Sequence, residues 1–216
     1  MYKKVSGVIL ASLTFVIGIC GVAFYFTSGS ETQRWSISNI TKVSEEVESY
    51  AVYSAVVNEV FAEEMARGDK KPRGLVISDR TSSYPNSQTL GIGWIEEQVQ
   101  DRKKYYPSVS EDTLTDFYLK TASPIKLESK LDLAAPYTLI DENELERIDE
   151  EVQFFTKYSA GGMIKFSRVG FNSSRNQAFV EVEFLYCPLC GFGDKILLEK
   201  EFGIWIVKER FGGWIS

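Results

Sequence analysis

From Gln177 to Leu185 the chain alternates between two surfaces. Ala178, Val180, Val182 and Phe184 fall in one register, and Phe179, Glu181, Glu183 and Leu185 in the other. A period of two over this length predicts a strand with one face on a core and the other partly in water. The strand needs partners, and the surrounding sequence supplies them. Ile196, Leu197 and Leu198 form the next apolar run, followed by Lys200, Glu201, Phe202 and Gly203, where the glycine supplies the positive φ of a hairpin turn. Ile204 to Val207 then reads as a last strand, with Trp205 and Val207 on one face. Upstream, Gly161 and Gly162 break the chain before an apolar stretch at 163–169, and residues 170–174 read as the turn into the alternating strand. Short links between successive strands predict an antiparallel meander over residues 166–216.

The remaining pattern is helical with a few short strands. Val47, Tyr50, Ser54, Val57, Phe61 and Met65 recur at spacings of three and four, the stripe of an amphipathic helix over 44–67, capped by Ser44 and stopped at Gly68. Residues 74–78 predict a short strand ending at Asp79 and Arg80. Residues 82–93 read as a turn-rich surface loop, and 94–103 as a short helix. Ser108 with Glu111 has capping-box spacing before a helix carrying Leu114, Phe117 and Tyr118, ended by Ser123 and Pro124. Residues 137–140 read as another short strand. Asp141 with Glu144 repeats the capping signal, before an apolar stripe at Leu145, Ile148, Val152 and Phe155. The expected class is α+β, with helices packed on a C-terminal antiparallel meander, a layout analogous to cystatin-like and NTF2-like folds.

The N-terminus sets location. Lys3 and Lys4 precede 22 uncharged residues that open at Val5 and close at Phe26, enough helix (roughly 33 Å at 1.5 Å per residue) for a bilayer core. Lysines on that side keep it cytoplasmic. Residues 1–27 therefore read as a signal anchor, or as a signal peptide cut after Ala23 or Ser30, with the anchor favoured by its length. Residues 28–43 read as a juxtamembrane linker containing Trp35, and 44–216 as one extracytoplasmic domain. The expected location is a single-pass membrane protein with its C-terminal domain outside, or a secreted one if cleaved. Of the 24 basic residues, those other than Lys3 and Lys4 stand against 30 acidic ones, a net charge of −8. That balance disfavours nucleic acid and anionic lipid as partners.

The inventory excludes much chemistry. There is no histidine, which rules out Ser-His-Asp and Cys-His nucleophile systems and His-ligated metal sites. No phosphate-binding glycine loop or G-x-S-x-G elbow is present. Glu181 and Glu183 share a strand face about 7 Å apart, with Glu199 on a neighbouring strand. Lys195 and Lys200 nearby make a solvated mixed-charge face the simpler reading than acid–base work. Cys187-Pro188-Leu189-Cys190-Gly191 admits three readings: half of a metal knuckle lacking further ligands, a redox motif lacking its helix, or a small-loop disulfide between strands. The disulfide suits an oxidising compartment. No cofactor or metal is expected. Candidate pocket or rim residues are Asp79, Arg80, Trp205 and Trp214, with Trp94, Tyr105 and Tyr106 as further aromatic surface or core.

Several of these residues carry a resemblance. Residues 167–172, Gln177 with Ala178, Cys187, Cys190 with Gly191, residues 198–200, Gly203, Trp205, Val207 and the closing Trp214-Ile215-Ser216 resemble a family of uncharacterised exported bacterial proteins, as do residues 76–81 and Pro136 with Tyr137. The resemblance implies export and a cysteine-bearing hairpin, and no activity. The function read from the sequence is binding without catalysis, to a protein or small ligand. The alternatives are thiol–disulfide exchange through Cys187 and Cys190, and an envelope-assembly or immunity-type partner.

Overall fold

The long strand expected from alternation is the spine of a seven-stranded mixed sheet in the computed structural model. The model describes residues 44–61, 74–83, 87–141, 157–158, 163–187 and 190–215. The strands are β1 (Leu75–Ser78), β2 (Tyr137–Ile140), β3 (Met163–Phe166), β4 (Gly170–Phe171), β5 (Gln177–Cys187), β6 (Cys190–Glu201) and β7 (Ile204–Ile215). Their order is β2-β1-β3-β5-β6-β7, with β4 also on β5. β5, β6 and β7 form the expected antiparallel meander, but β7 runs to Ile215 rather than stopping near Val207. On the other side of β5 the sheet continues through β3 into β1, which is parallel to both β3 and β2. The α+β class therefore stands, whereas the sheet is mixed rather than a pure meander. Parallel pairing needs long crossovers, and no local pattern announces those.

Three helices accompany the sheet among the described residues: α1 (residues 44–61, widening into a π turn at Val57–Phe61), α2 (Ser87–Lys103) and α3 (Glu111–Thr121). α2 begins inside the stretch read as a surface loop. Gly91 and Gly93 carry low helix propensity, and tertiary packing of Ile95 and Val99 overrides it. The cap of α3 is Ser110, not Ser108; its Oγ accepts from the Thr113 amide. The expected helix end at Gly68 and the stripe at Leu145, Ile148, Val152 and Phe155 lie outside the described residues.

Alternation along β5 sends the core to both faces of the sheet. Ala178, Val180, Val182 and Phe184 meet Ile196, Leu198, Ile77, Ile164 and the α1 residues Tyr53, Val56, Val57 and Val60. On the other face Phe179 and Leu197 meet Phe117, Leu114, Val99 and Tyr106 from α2, α3 and the loop between them. β3 and β4 lie end to end along β5, interrupted at Ser167, Arg168 and Val169. Ser167 holds the interruption to β5: its amide donates to the Glu181 carbonyl at 2.8 Å, and the Glu181 amide to Ser167 Oγ at 2.8 Å. The buried Tyr53 hydroxyl donates to the Ser167 carbonyl at 3.0 Å. Past it, Gly170 lets α3 come against the strand, for a Cβ there would lie 2.5–2.6 Å from Phe117.

Candidate functional site

α1 exposes one flank as well as burying another. Val47, Ala51, Ser54, Ala55 and Asn58 sit at helical spacings, and with Gly203, Ile204 and Trp205 they line an open groove of about 630 Å³. Val47, read from the sequence as core, is 64% exposed, and Ile204 is 68% exposed. Of the expected stripe, Tyr50, Ser54 and Val57 are buried, and Val52, Tyr53, Val56 and Val60 widen it against the sheet and loops; Val47, at its start, is exposed.

One wall is a loop strapped to α1 by side-chain hydrogen bonds. The Asp132 amide donates to Ser54 Oγ at 2.9 Å, the Ala134 amide to Asn58 Oδ1 at 3.0 Å, and Asn58 Nδ2 to the Asp132 carbonyl at 2.9 Å. The Glu128 amide donates to the Tyr50 hydroxyl at 2.6 Å. A loop without ladder partners must satisfy its backbone somewhere, and here α1 does it. Lys130 pairs on the surface with Glu46 at 2.6 Å and Glu128 at 2.8 Å. Such exposed pairs add little stability.

The other wall is the β6–β7 hairpin, held by Glu48. Lys200 Nζ lies 2.5 Å from Glu48 Oε1, and the Trp205 indole donates to Oε2 at 2.7 Å. Lys200 also sits over the Trp205 ring at 4.9 Å. Burial works against the Glu48 carboxylate, but the hydrogen bonds from Lys200 and Trp205 and the Lys200 charge outweigh it, so its pKa falls below the ordinary glutamate value. Trp205 is thus a fixed, buried floor residue. The turn itself has φ of +51° at Phe202 and +86° at Gly203. Gly203 is as expected. Phe202 is not: a left-handed conformation costs a side-chain-bearing residue about 1–2 kcal/mol, and this phenyl ring is fully exposed.

The other candidate residues lie elsewhere. Asp79 is buried and structural, its carbonyl accepting from the Leu127 amide at 2.6 Å and its carboxylate pairing with Lys126 at 3.2 Å. Arg80 is exposed and bridges to Lys126, and neither residue lines the groove. Trp214 lies at the far end of β7 against Gly193, its ladder partner. The other aromatics divide as well: Tyr106 and Trp94 pack in the α2–α3 core, and Tyr105 is exposed. Cys187 and Cys190 are ladder partners across the end of the β5–β6 hairpin.

Glu181 and Glu183 depart from the solvated face expected of them. Glu181 is mostly buried and takes a hydrogen bond from Lys195 at 2.8 Å. Burial, then the Glu181 charge, pushes the Glu183 pKa up, with Lys165 and Lys195 opposing. No cavity adjoins this pair among those described, and among the described residues no cluster of three or more His, Cys, Asp or Glu could hold a metal. Among the same residues no helix is long and apolar enough to cross a membrane; the expected span at 5–26 lies outside them. No family model, no curated protein and no solved structure matches the chain.

Proposed function

We propose that this chain is a membrane-tethered extracytoplasmic domain that binds an apolar segment of a partner in the α1/β6–β7 groove, without catalysis. The groove itself carries the reading. Its volume lies in the range of ligand sites, its floor is a buried indole fixed by Glu48, and Val47, Ala51, Ala55 and Ile204 stay accessible. Several polar groups of its lining are engaged in holding the walls: Lys130 pairs with Glu46 and Glu128, the Tyr50 hydroxyl accepts from the Glu128 amide, and Ser54 and Asn58 bind the strapped loop. An envelope-assembly or immunity-type role is the alternative in which that partner is another envelope protein. Tethering through residues 5–26 rests on their length, lack of charge and flanking lysines.

The cysteine pair fits this reading as a staple. Ladder partners have Cα atoms about 4.5–5.5 Å apart, within the span a disulfide takes, and the pair stands at the opposite end of β5 and β6 from the groove turn. Kinship to the exported family is proposed on the same footing. Several of the residues carrying that resemblance do scaffold work here, among them Gly170 under Phe117 and Trp205 on Glu48.

An anilinonaphthalene sulfonate probe tests the groove. The expected result is one saturable site on the folded protein, with energy transfer from Trp205 and loss of binding in Ile204→Asp. Binding unchanged by Ile204→Asp and by Ala55→Trp would remove the groove as the site. Thiol trapping in graded redox buffers tests the pair: resistance below about −300 mV marks a staple, whereas a potential between about −120 and −230 mV puts thiol–disulfide exchange first.

A further inference from the structure

We propose that the end of the domain bearing the Phe202 turn rests on the lipid bilayer, with the Phe202 ring inserted at the boundary between headgroups and acyl chains. This rests on the tethered reading above and adds to it an orientation and a second contact. Three observations carry it.

The first is Phe202 itself. A two-residue hairpin turn with both φ values positive favours Asn-Gly or Asp-Gly, and here a phenylalanine holds the first position, strained and wholly in solvent. Neither the turn nor the core has a use for that ring. Strain of this kind points to a role outside the fold. The second is its company. Ile204, two residues further along the same hairpin, is exposed as well, so an aromatic and an aliphatic side chain stand together at the tip. An aromatic tip on an otherwise polar surface is the side chain that bilayer interfaces favour.

The third is where the preceding chain arrives. Arg175 donates to Ser44 at the first described turn of α1 at 2.6 Å, the Lys200 amide donates to the Asn176 carbonyl at 2.8 Å, and Lys200 and Trp205 hold Glu48. The start of α1, the turn before β5 and the Phe202 turn therefore share one end of the molecule, and the Cys187–Cys190 hairpin marks the other. Only residues 27–43 separate Ser44 from the apolar segment. Even fully extended they reach no more than about 60 Å. A contact too weak to recruit a free protein is sufficient under that restraint, because tethering makes it effectively intramolecular. The nearby charges are mixed, with Glu201 paired to Lys208 and Lys200 to Glu48, so insertion is apolar rather than electrostatic. Neutral lipid therefore suffices.

The test uses the full chain in phosphatidylcholine vesicles, with a nitroxide on a non-cysteine handle replacing Phe202 or, as the control, Thr138. Thr138 is exposed on β2 at the opposite edge of the sheet. The expected result is flotation with the vesicles and a higher ratio of oxygen to nickel-chelate collisions at 202 than at 138. In a Phe202→Asn background a label replacing Ile204 loses that preference while flotation persists. Flotation with equal ratios at 202 and 138 overturns this inference and leaves the tether standing. Failure to float overturns both. Dipolar coupling between labels at 202, without the oxygen preference, assigns the patch to a second copy of the chain and overturns the bilayer contact.

Discussion

The two faces of the sheet take alternate residues of the same strands and put them to different ends. On the α2–α3 face, Phe179 and Leu197 are sealed under aromatic rings, with Phe117 and Phe179 centroids 5.1 Å apart and Tyr106 at 5.3 Å from Phe179. Apolar burial does the work there, and Gly170 lets α3 come close enough to achieve it. On the α1 face, one helix about 10 Å wide cannot cover six strands spaced about 4.8 Å apart. Its flank is held by polar contacts instead, namely Glu48 to Lys200 and Trp205, and Ser54 and Asn58 to the strapped loop. Polar anchoring at the groove edges leaves apolar surface between them accessible. That is how a fold keeps a binding surface without losing its core.

Substitutions can break this contrast, and the largest effects belong to the sealed face. Phe117→Ala should cost about 3–5 kcal/mol by denaturant unfolding. Gly170→Ala, which must push α3 away from β4, should cost about 1–3 kcal/mol. Equal losses from Val47→Ala on the groove side would erase the distinction between the faces.

Titration sharpens it next. Glu48 has a lowered folded pKa, so its contribution is complete above the unfolded carboxylate value of about 4.3 and disappears as pH falls through the folded value. Glu183 is raised, so the folded state holds its proton longer, and stability declines as pH rises through that folded value. Glu48→Gln should therefore lower stability at neutral pH and flatten the acid limb of the stability–pH curve. Glu183→Gln should stabilise at neutral pH. Parallel curves for the two variants would show that the faces do not differ electrostatically. Removing the Glu48 side chain altogether, in Glu48→Ala, should cost about 2 kcal/mol through its lost charged hydrogen bonds.

The smallest effect has the opposite sign. Phe202→Asn should stabilise the domain by about 1 kcal/mol, because asparagine accepts the left-handed turn that phenylalanine resists. A raised midpoint together with loss of bilayer contact would show stability given up at this turn for function. A lowered midpoint would mean that the Phe202 ring packs within the fold after all.

What could be read directly was what repeats over short distances. The period of two in β5, the turn at Gly203, the strand at 137–140 and the existence of α1 follow from side-chain alternation and backbone preference within a few residues. Edges proved harder than period, and Val47 and Ser108 show it. A stripe begun one residue too soon, or a cap two residues early, satisfies the same local pattern. Trp205 was legible as a candidate because a large aromatic on an alternating strand is conspicuous. Its partner was not, for Glu48 lies 157 residues away.

The sequence by itself determined the α+β class, the alternating strand with its following hairpin, and the absence of histidine chemistry, since these are local or compositional. The sheet order, with β1 inserted between β2 and β3, was decided by tertiary structure, as were the crossing of α3 at Gly170 and the groove itself. Each of these depends on contacts between segments far apart in the chain, where the free energy lies in which surfaces meet. A pattern of apolar residues states that a face must be buried, but not against what.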